Sequence, residues 1–375
     1  EIFTTCINYY YEYGNSYDDY YQRKNYCINR VEEVSLGFSM RQQFNTFLTI
    51  SEWLQFDSAL TNKHMRKAYL SYLEGRKIFS PVQYLSSSSL RWISARKLKL
   101  VSLYLTSHIT KELYFHSIDL SALKMIVIPN HGKETLFDML QILNRCQHTI
   151  HFIGFEKSQN INISILKKLS KSFSHMHFLA LYSCKYINDL SLTKLTQYQY
   201  GKQIIELNLS KCSITNEGLM SVVQSLKKLR SLDISYCRVS YAMVGRTLQS
   251  CAHSLAELAF DYLEVNYANV MDERTEILRL FQLFERFGKG LLMLSVRGNG
   301  QISDDCLAYC ISHCSRLKQI NLTECFRVTN LSLLKIGSFS HRLRALDVRD
   351  CFELSDEGVL AVLHGCRHLF DLALD

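Results

Sequence analysis

The strongest constraint on the fold of this chain is a short apolar frame that recurs at a nearly constant spacing. In its clearest copy, Ile204, Leu207 and Leu209 stand at positions one, four and six, and Cys212 stands at position nine. Nine of the ten steps between successive copies span 23 to 28 residues, and the tenth spans 36. A fixed period in this range indicates a stack of similar units. The copies begin at Leu100, Leu123, Ile150, Met176, Ile204, Leu229, Leu255, Leu291, Leu317, Leu343 and Leu369.

Each frame predicts a short strand followed by a helix. The apolar residues at positions four and six alternate with period two, which is typical of a strand with one buried face. After position nine, Thr215, Ser303 and Ser355 are predicted helix N-caps, each followed by acidic residues in the first turn. Apolar residues such as Leu219 and Val222 then recur at helical spacing. The sequence therefore predicts an α/β solenoid with parallel strands on its concave side and helices outside.

The frame, with its cysteine at position nine, resembles the cysteine-containing leucine-rich repeats of the F-box/leucine-rich-repeat protein family. This resemblance covers Leu100 to Asp375 and implies a right-handed, ribonuclease-inhibitor-like solenoid of about eleven repeats. Cysteine stands at position nine in Cys184, Cys212, Cys237, Cys325 and Cys351. Other residues stand there at His108, His131, Ser158, Leu263 and Asn299.

The sequence before and within the array predicts four segments. Residues 1–30 are rich in tyrosine without a sustained period, so we expect a mobile tail, with a stacking platform for a partner as the alternative. Residues 31–85 have helical spacing, and residues 86–99 form a transition into the solenoid of 100–375. The long step suggests an insertion at 266–290 with an enlarged helix that ends at Gly288 and Gly290.

Part of the N-terminal helical segment resembles a degenerate F-box. An aromatic–leucine pair is followed by an apolar helical stretch and then by Arg66, although His64 and Met65 precede that arginine instead of tryptophan. The resemblance implies that this segment binds a Skp-type adaptor. The alternative is a helical cap that seals the open end of the array. The predicted adaptor-binding residues are Phe47, Leu48, Trp53, Leu54 and Phe56.

Composition argues against several classes of function. The net charge of +8 comes from 43 basic and 35 acidic residues, and the basic residues are scattered, so we expect no nucleic-acid binding. No apolar run approaches the ~20 residues of a membrane span. Because cysteines recur at fixed repeat positions, we expect buried free thiols and a reducing compartment, cytoplasmic or nuclear.

The sequence offers no convincing catalytic, cofactor or metal constellation. It lacks both glycine-rich phosphate-loop motifs. Cys306, Cys310 and Cys314 lie on one helical stripe near His313, but that stripe coincides with the face that a repeat helix must bury. We therefore predict no enzyme activity, no cofactor and no metal.

The strand pattern also predicts which residues face a partner. Positions three, five and seven point away from the buried leucines, to the concave side. They predict an exposed apolar patch of Met125, Val127, Phe152, Phe178 and Tyr182. They predict an acidic tract of Glu206, Asp233, Glu257 and Asp261, followed by Arg297 and Arg349. The expected partner has an apolar anchor and a basic flank, unless N-terminal segments cover the patch.

The predicted function is that of a protein-recognition scaffold that holds a protein substrate on its concave face. The family resemblance implies a substrate receptor of a cullin–RING (SCF-type) ubiquitin ligase, with the adaptor on the N-terminal helices. Two alternatives remain open: a leucine-rich-repeat interaction protein without a ligase link, and an inhibitor or regulatory protein that wraps its target.

Overall fold

A computed structural model of the chain describes residues 63–73, 77–78, 87–104, 118–128, 140–172, 175–197, 203–251, 253–263 and 270–374. The chain divides into two compact units. Unit 1 is Glu1–Asn160 with Ser172–Met176, and unit 2 is Ile161–Lys171 with His177–Asp375. The predicted tyrosine-rich tail and the predicted adaptor-binding residues Phe47, Leu48, Trp53, Leu54 and Phe56 lie outside the described residues, so these predictions stay open.

Unit 1 contains a short parallel sheet whose strands coincide with the first three frames. Met125 pairs with Ser102 on one side and with Phe152 on the other, so the three frames are in register. The residues at position four, Leu103, Ile126 and Ile153, are buried. The elements are α1 Lys63–Leu73, β1 Lys77–Ile78, α2 Ser87–Ala95, β2 Lys99–Leu100, β3 Ser102–Tyr104, β4 Met125–Ile128 and β5 Phe152–Phe155.

Unit 2 is a leucine-rich-repeat solenoid, as the sequence predicts. Its described strands pair in parallel, each with the strand of the next frame, and equivalent frame positions lie side by side. The strands are β6 Phe178–Ala180, β7 Glu206–Asn208, β8 Ser231–Asp233, β9 Glu257–Ala259, β10 Met293–Ser295, β11 Gln319–Asn321, β12 Ala345–Asp347 and β13 Asp371–Ala373.

In unit 2, a helix lies in the chain between each strand and the next. The long step between Leu255 and Leu291 contains a helix of 13 residues, followed by a one-turn helix and a 3-10 turn at Gly288–Gly290. The helices are α3 Ile163–Ser172, α4 Asp189–Gln197, α5 Asn216–Ser225, α6 Tyr241–Cys251, α7 Val270–Gln282, α8 Phe284–Phe287, α9 Asp304–His313, α10 Asn330–Phe339 and α11 Asp356–Gly365.

Position nine holds a small hydrogen-bond donor in most repeats of unit 2. The Cys212 thiol donates to the carbonyl of Leu181, at position six of the preceding frame, over 2.8 Å. The side-chain amide of Asn299 makes the equivalent bond to the carbonyl of Phe260 over 3.0 Å. Asparagine can therefore replace cysteine because it also satisfies this buried carbonyl. The same bond recurs from Cys237 to Leu209, from Cys325 to Val296 and from Cys351 to Leu322.

The predicted helix N-caps are confirmed only in part. Thr215 precedes α5 and its hydroxyl accepts a hydrogen bond from the backbone N–H of Glu217, as a cap should. Ser303 and Ser355 occupy the same position before α9 and α11 but make no such bond. The Ser355 hydroxyl instead accepts from the side chain of Asn330, so contact with the neighbouring repeat replaces the local cap.

The predicted burial of the cysteines is confirmed for the described residues, whose eleven cysteines are all buried and free of disulfides. Burial raises the pKa of the Cys146 thiol to about 12 and that of Cys366 to about 11, which disfavours the reactive thiolate. Within the described ranges, no group of three or more His, Cys, Asp or Glu residues is placed to hold a metal ion. No helix among them has the length and apolar character needed to cross a membrane.

Candidate functional site

The candidate site is the surface formed by frame positions three, five and seven of unit 2, called the strand face below. Its rows follow directly from the parallel pairing. Position three runs from Phe178 through Glu206, Ser231 and Glu257 to Met293. Adjacent members of a row are one strand spacing apart, about 4.8 Å. Side chains from neighbouring repeats therefore lie close enough to act together on one partner group.

Two of the residues predicted to be exposed are buried in unit 1. Phe152 is only 3% exposed and Val127 is also buried, whereas Met125 is half-buried. A Cβ atom built on Gly154 would lie 3.1 Å from Cε1 of Phe152 and 3.4 Å from Cγ2 of Val127. The phenyl ring and the valine thus pack over the space that glycine leaves. The prediction that both are exposed is wrong, because glycine accommodates the ring instead of leaving an open groove.

The predicted aromatic residues of unit 2 are more accessible. Phe178 on β6 and Tyr182 just after it are both half-buried. The Lys211 ammonium lies 5.5 Å from the centroid of the Tyr182 ring, within the range of a cation–π contact. Phe178 and Tyr182 therefore remain candidate anchors for a partner. Phe152 belongs to unit 1.

Two members of the predicted acidic tract have structural roles. Asp233 is buried, and its carboxylate accepts from the backbone N–H of Ser235 at 2.9 Å and from the side chain of Asn208 at 2.7 Å. Asp261 is also buried and accepts from the Ser295 hydroxyl at 2.7 Å and from the backbone N–H of Arg297 at 2.8 Å. The prediction of a solvent-facing tract is wrong for this pair, because these short carboxylates bond to neighbouring strands.

The other two acids of the predicted tract lie on either side of one serine in the position-three row. Glu206 on β7 and Glu257 on β9 pair with Ser231 on β8, which lies between them. Glu257 is 8% exposed, and its Oε2 atom has no hydrogen-bond partner among the residues that the structure describes. Burial, together with the nearby charge of Glu206, raises the pKa of the Glu257 carboxyl to about 8. A cation at this place would favour the ionised carboxylate.

A second row, not predicted from the sequence, lies where the chain leaves the strands. The Lys211 ammonium is 4.4 Å from the centroid of the Tyr236 ring, which stacks on Tyr262 at 4.7 Å. The Tyr262 hydroxyl donates to Glu324, which also forms an ion pair of 2.9 Å with Arg297. We call these five residues the edge row. It is a continuous contact chain of cations, aromatic rings and a carboxylate across five repeats.

The edge row depends on an unusual backbone conformation. Lys211, Tyr236, Tyr262 and Glu324 stand at position eight with φ between 45° and 59°, a left-handed region that L-residues seldom occupy. Each backbone N–H there donates to the carbonyl at position seven of the next frame, as from Tyr236 to Asp261 at 2.7 Å. These bonds between repeats offset the local strain. The sequence signal for this conformation was Gly298, which occupies position eight in the repeat that follows Tyr262.

The predicted arginines of the strand face are half-buried and held by carboxylates. Arg349 binds the Asp347 carboxylate with two nitrogens, at 3.0 and 2.7 Å. Burial tends to lower the pKa of Arg297, but the hydrogen bonds and charge interactions with Glu324 and Tyr262 together outweigh burial and raise that pKa. Both guanidinium groups therefore remain charged, and their positions are fixed before any partner arrives.

Comparison with known proteins supports the leucine-rich-repeat fold. The family model described as "Leucine Rich repeat" matches residues 204–223. The chain is similar in structure to a chain in the crystal structure of the yeast Rad7 and Elc1 complex, with 17% identity and a TM-score of 0.56. The match covers 100% of this chain and 86% of that chain. Weaker similarities are to the mouse RP105/MD-1 complex and to an internalin, inlF, from Listeria monocytogenes. The first has 13% identity over 81% of this chain and 52% of that chain, with a TM-score of 0.41. The second has 15% identity over 83% of this chain and 78% of that chain, with a TM-score of 0.39.

Proposed function

We propose, from the premise that this chain has a leucine-rich-repeat fold, that it is a non-enzymatic scaffold that recognises a protein partner on the strand face of unit 2. The observation that carries the proposal is the position-three row. It places the half-buried Phe178 beside Glu206 and, two strands further, the buried and unsatisfied Glu257. An aromatic anchor next to partly desolvated carboxylates is suited to a partner with apolar and basic side chains.

The structure of the edge row supports recognition over catalysis. Its rings, cations and carboxylate are held by contacts with one another, so little side-chain entropy would be lost when a partner binds. Tyrosine and arginine are the residues most enriched at interface hot spots. Two tyrosines and one arginine of this row are half-buried and accessible along one edge.

The first test removes the proposed aromatic anchors. We expect the double substitution Phe178→Ala and Tyr182→Ala to weaken capture of the partner by at least tenfold, because each hot-spot aromatic contributes roughly 2 kcal/mol or more. The measurement is quantitative mass spectrometry of proteins retained from a lysate by the immobilised full chain, followed by titration of the retained protein.

The matched control is Lys167→Ala with Lys168→Ala, two exposed positions on the helix α3. We expect this control to retain the partner at wild-type levels. Equal retention by the aromatic double variant, with an unchanged unfolding midpoint, would contradict binding on the strand face.

The finer proposal is that the scaffold is a substrate receptor of a cullin–RING ubiquitin ligase. Its support is the resemblance of the segment around Trp53 and Leu54 to an F-box. The structurally similar chain comes from the crystal structure of a two-protein complex, that of yeast Rad7 and Elc1. In this proposal the N-terminal segment holds a Skp-type adaptor, and the strand face presents the substrate.

The adaptor proposal has a direct test. We expect the full chain to bind a purified Skp-type adaptor and expect Trp53→Ala with Leu54→Ala to abolish that binding, because the substitutions truncate two of the five predicted adaptor-binding side chains. Isothermal titration measures the affinity. The variant Phe178→Ala with Tyr182→Ala serves as the control and should bind the adaptor normally. If the wild-type chain shows no adaptor binding, the helical-cap alternative replaces the F-box proposal.

A further inference from the structure

We infer that Glu206 and Glu257 together receive one arginine side chain of the protein partner. This inference deepens the proposed function and rests on it. The two glutamates stand at position three on β7 and β9, with Ser231 between them on β8. Two strand spacings separate their Cα atoms, or about 10 Å. Ser231 is much shorter than glutamate and hydrogen-bonds to Glu257. A single planar cation can span the two carboxyl groups above this short side chain.

An unsatisfied carboxylate oxygen of Glu257 points to a missing ligand. Its side chain is more than nine-tenths buried, yet Oε2 has no hydrogen-bond partner among the described residues. The other buried acids on this face, Asp233 and Asp261, each accept two hydrogen bonds. Leaving a buried acceptor unsatisfied is costly, and a donor from outside the described residues would remove that cost. Glu257 is therefore distinguished from the structural carboxylates around it.

The chemistry of the site favours a guanidinium over an ammonium group. A guanidinium has five N–H donors in a rigid plane and can bond to two carboxylates at once, whereas an ammonium has three donors and is more strongly hydrated. The neighbours in the row are Phe178 beside Glu206 and Met293 beside Glu257. These apolar groups suit the methylene stem that carries the guanidinium. Arginine combines both features in one side chain.

The inference also predicts a pH dependence. Because the pKa of Glu257 is raised to about 8, its carboxyl is mostly protonated in the free protein below that pH. A cation binds the ionised form, so binding below pH 8 must release a proton, and affinity should rise with pH until about 8. Among the described residues, the charged and polar groups that face Glu257 are Glu206 on β7, Ser231 on β8 and Arg230 just before β8.

The experiment uses the full chain and a fluorescein-labelled nona-arginine peptide, with affinity measured by fluorescence anisotropy. We expect Glu206→Gln with Glu257→Gln to weaken binding at least tenfold. The matched control is Glu217→Gln with Glu285→Gln, which removes the same charge from exposed helix positions and should change affinity less than twofold. We expect a nona-lysine peptide to bind the wild-type chain at least threefold more weakly than nona-arginine.

The measurement of pH dependence does not require the double variant to fold. Wild-type affinity for nona-arginine should rise about tenfold between pH 6.5 and pH 8.5, and Glu257→Gln should abolish this rise. The inference is overturned by wild-type affinity in the double variant, by an equal loss in the control pair, by equal binding of nona-lysine, or by a flat pH profile. If the nona-arginine experiment gives a contradicting result while Phe178 and Tyr182 still control partner capture, only the inference of an arginine ligand is wrong. If both fail, the proposed function falls with it.

Discussion

We expect Leu207→Ala or Leu346→Ala to lower the free energy of unfolding by about 2–5 kcal/mol, one of the two largest effects that this structure predicts. Both leucines stand at position four of their frames and are 2% exposed. Truncation removes apolar contacts and leaves a cavity that a close-packed core cannot fully close. Leu207 lies in register between Leu179 and Leu232, so the loss is shared by the repeats on either side. Equilibrium urea denaturation measures the change.

The matched control places the same substitution on the outer surface. Leu190 and Leu331 are 61% and 60% exposed, on helices α4 and α10. We expect Leu190→Ala and Leu331→Ala to change the unfolding free energy by less than about 0.5 kcal/mol. If the core and surface variants unfold at the same midpoint, the assigned frame is wrong by at least one residue, because a shift of one exchanges the buried and exposed faces of a strand.

The second large effect is expected at two glycines where the helices α10 and α11 meet. A Cβ atom built on Gly337 would lie 2.7 Å from the carbonyl carbon of Ala361, and one on Gly365 would lie 2.7 Å from the Cα of Gly337. Real Cβ atoms do not approach backbone atoms this closely, so the helices must separate. We expect Gly337→Ala or Gly365→Ala to destabilise the protein by about 1–3 kcal/mol. Thermal unfolding followed by circular dichroism measures the change.

This result would reverse the ordinary preference of helices for alanine. Alanine in place of a helical glycine normally gains about 1 kcal/mol. Gly300→Ala is the control, because a Cβ atom there would meet only the Phe326 ring at an ordinary contact distance of 3.4 Å. We expect that variant to unfold within about 0.5 kcal/mol of the wild type. An increase in stability on Gly337→Ala would show that α10 and α11 are not packed backbone to backbone.

The repeat architecture could be predicted from the sequence because its causes are local and periodic. Leu207 and Leu209 alternate within one strand, and Leu219 and Val222 recur within the next helix. Both patterns follow from the geometry of a single strand or helix, so they can be recognised without knowing which residues are neighbours in the fold. The recurrence of cysteine at position nine could also be predicted from the sequence. The structure supplies its physical reason, which is the hydrogen bond from the Cys212 thiol to the preceding repeat.

The candidate site was less predictable, because its residues acquire their roles from neighbouring repeats. The sequence treated Asp233 and Glu257 alike, as outward acids on successive strands. In the structure Asn208 and Ser235 satisfy the first, while the second retains an unsatisfied oxygen. Alternation predicts which way a side chain points, but hydrogen bonding to the strands on each side decides whether its charge remains available.

The sequence by itself therefore determined the leucine-rich-repeat fold, the buried frame and the outward positions of this protein, since these depend on periodicity along the chain. Only the tertiary structure decided that Phe152 is buried over Gly154 and that Tyr236 stacks on Tyr262. It also placed Glu206 and Glu257 two strands apart in one row. The stack of Tyr236 on Tyr262 and the row that holds Glu206 and Glu257 bring together residues about 25 to 50 positions apart in the chain, and the stack also depends on left-handed backbone at position eight. Their physical cause is packing between repeats, which no single repeat encodes.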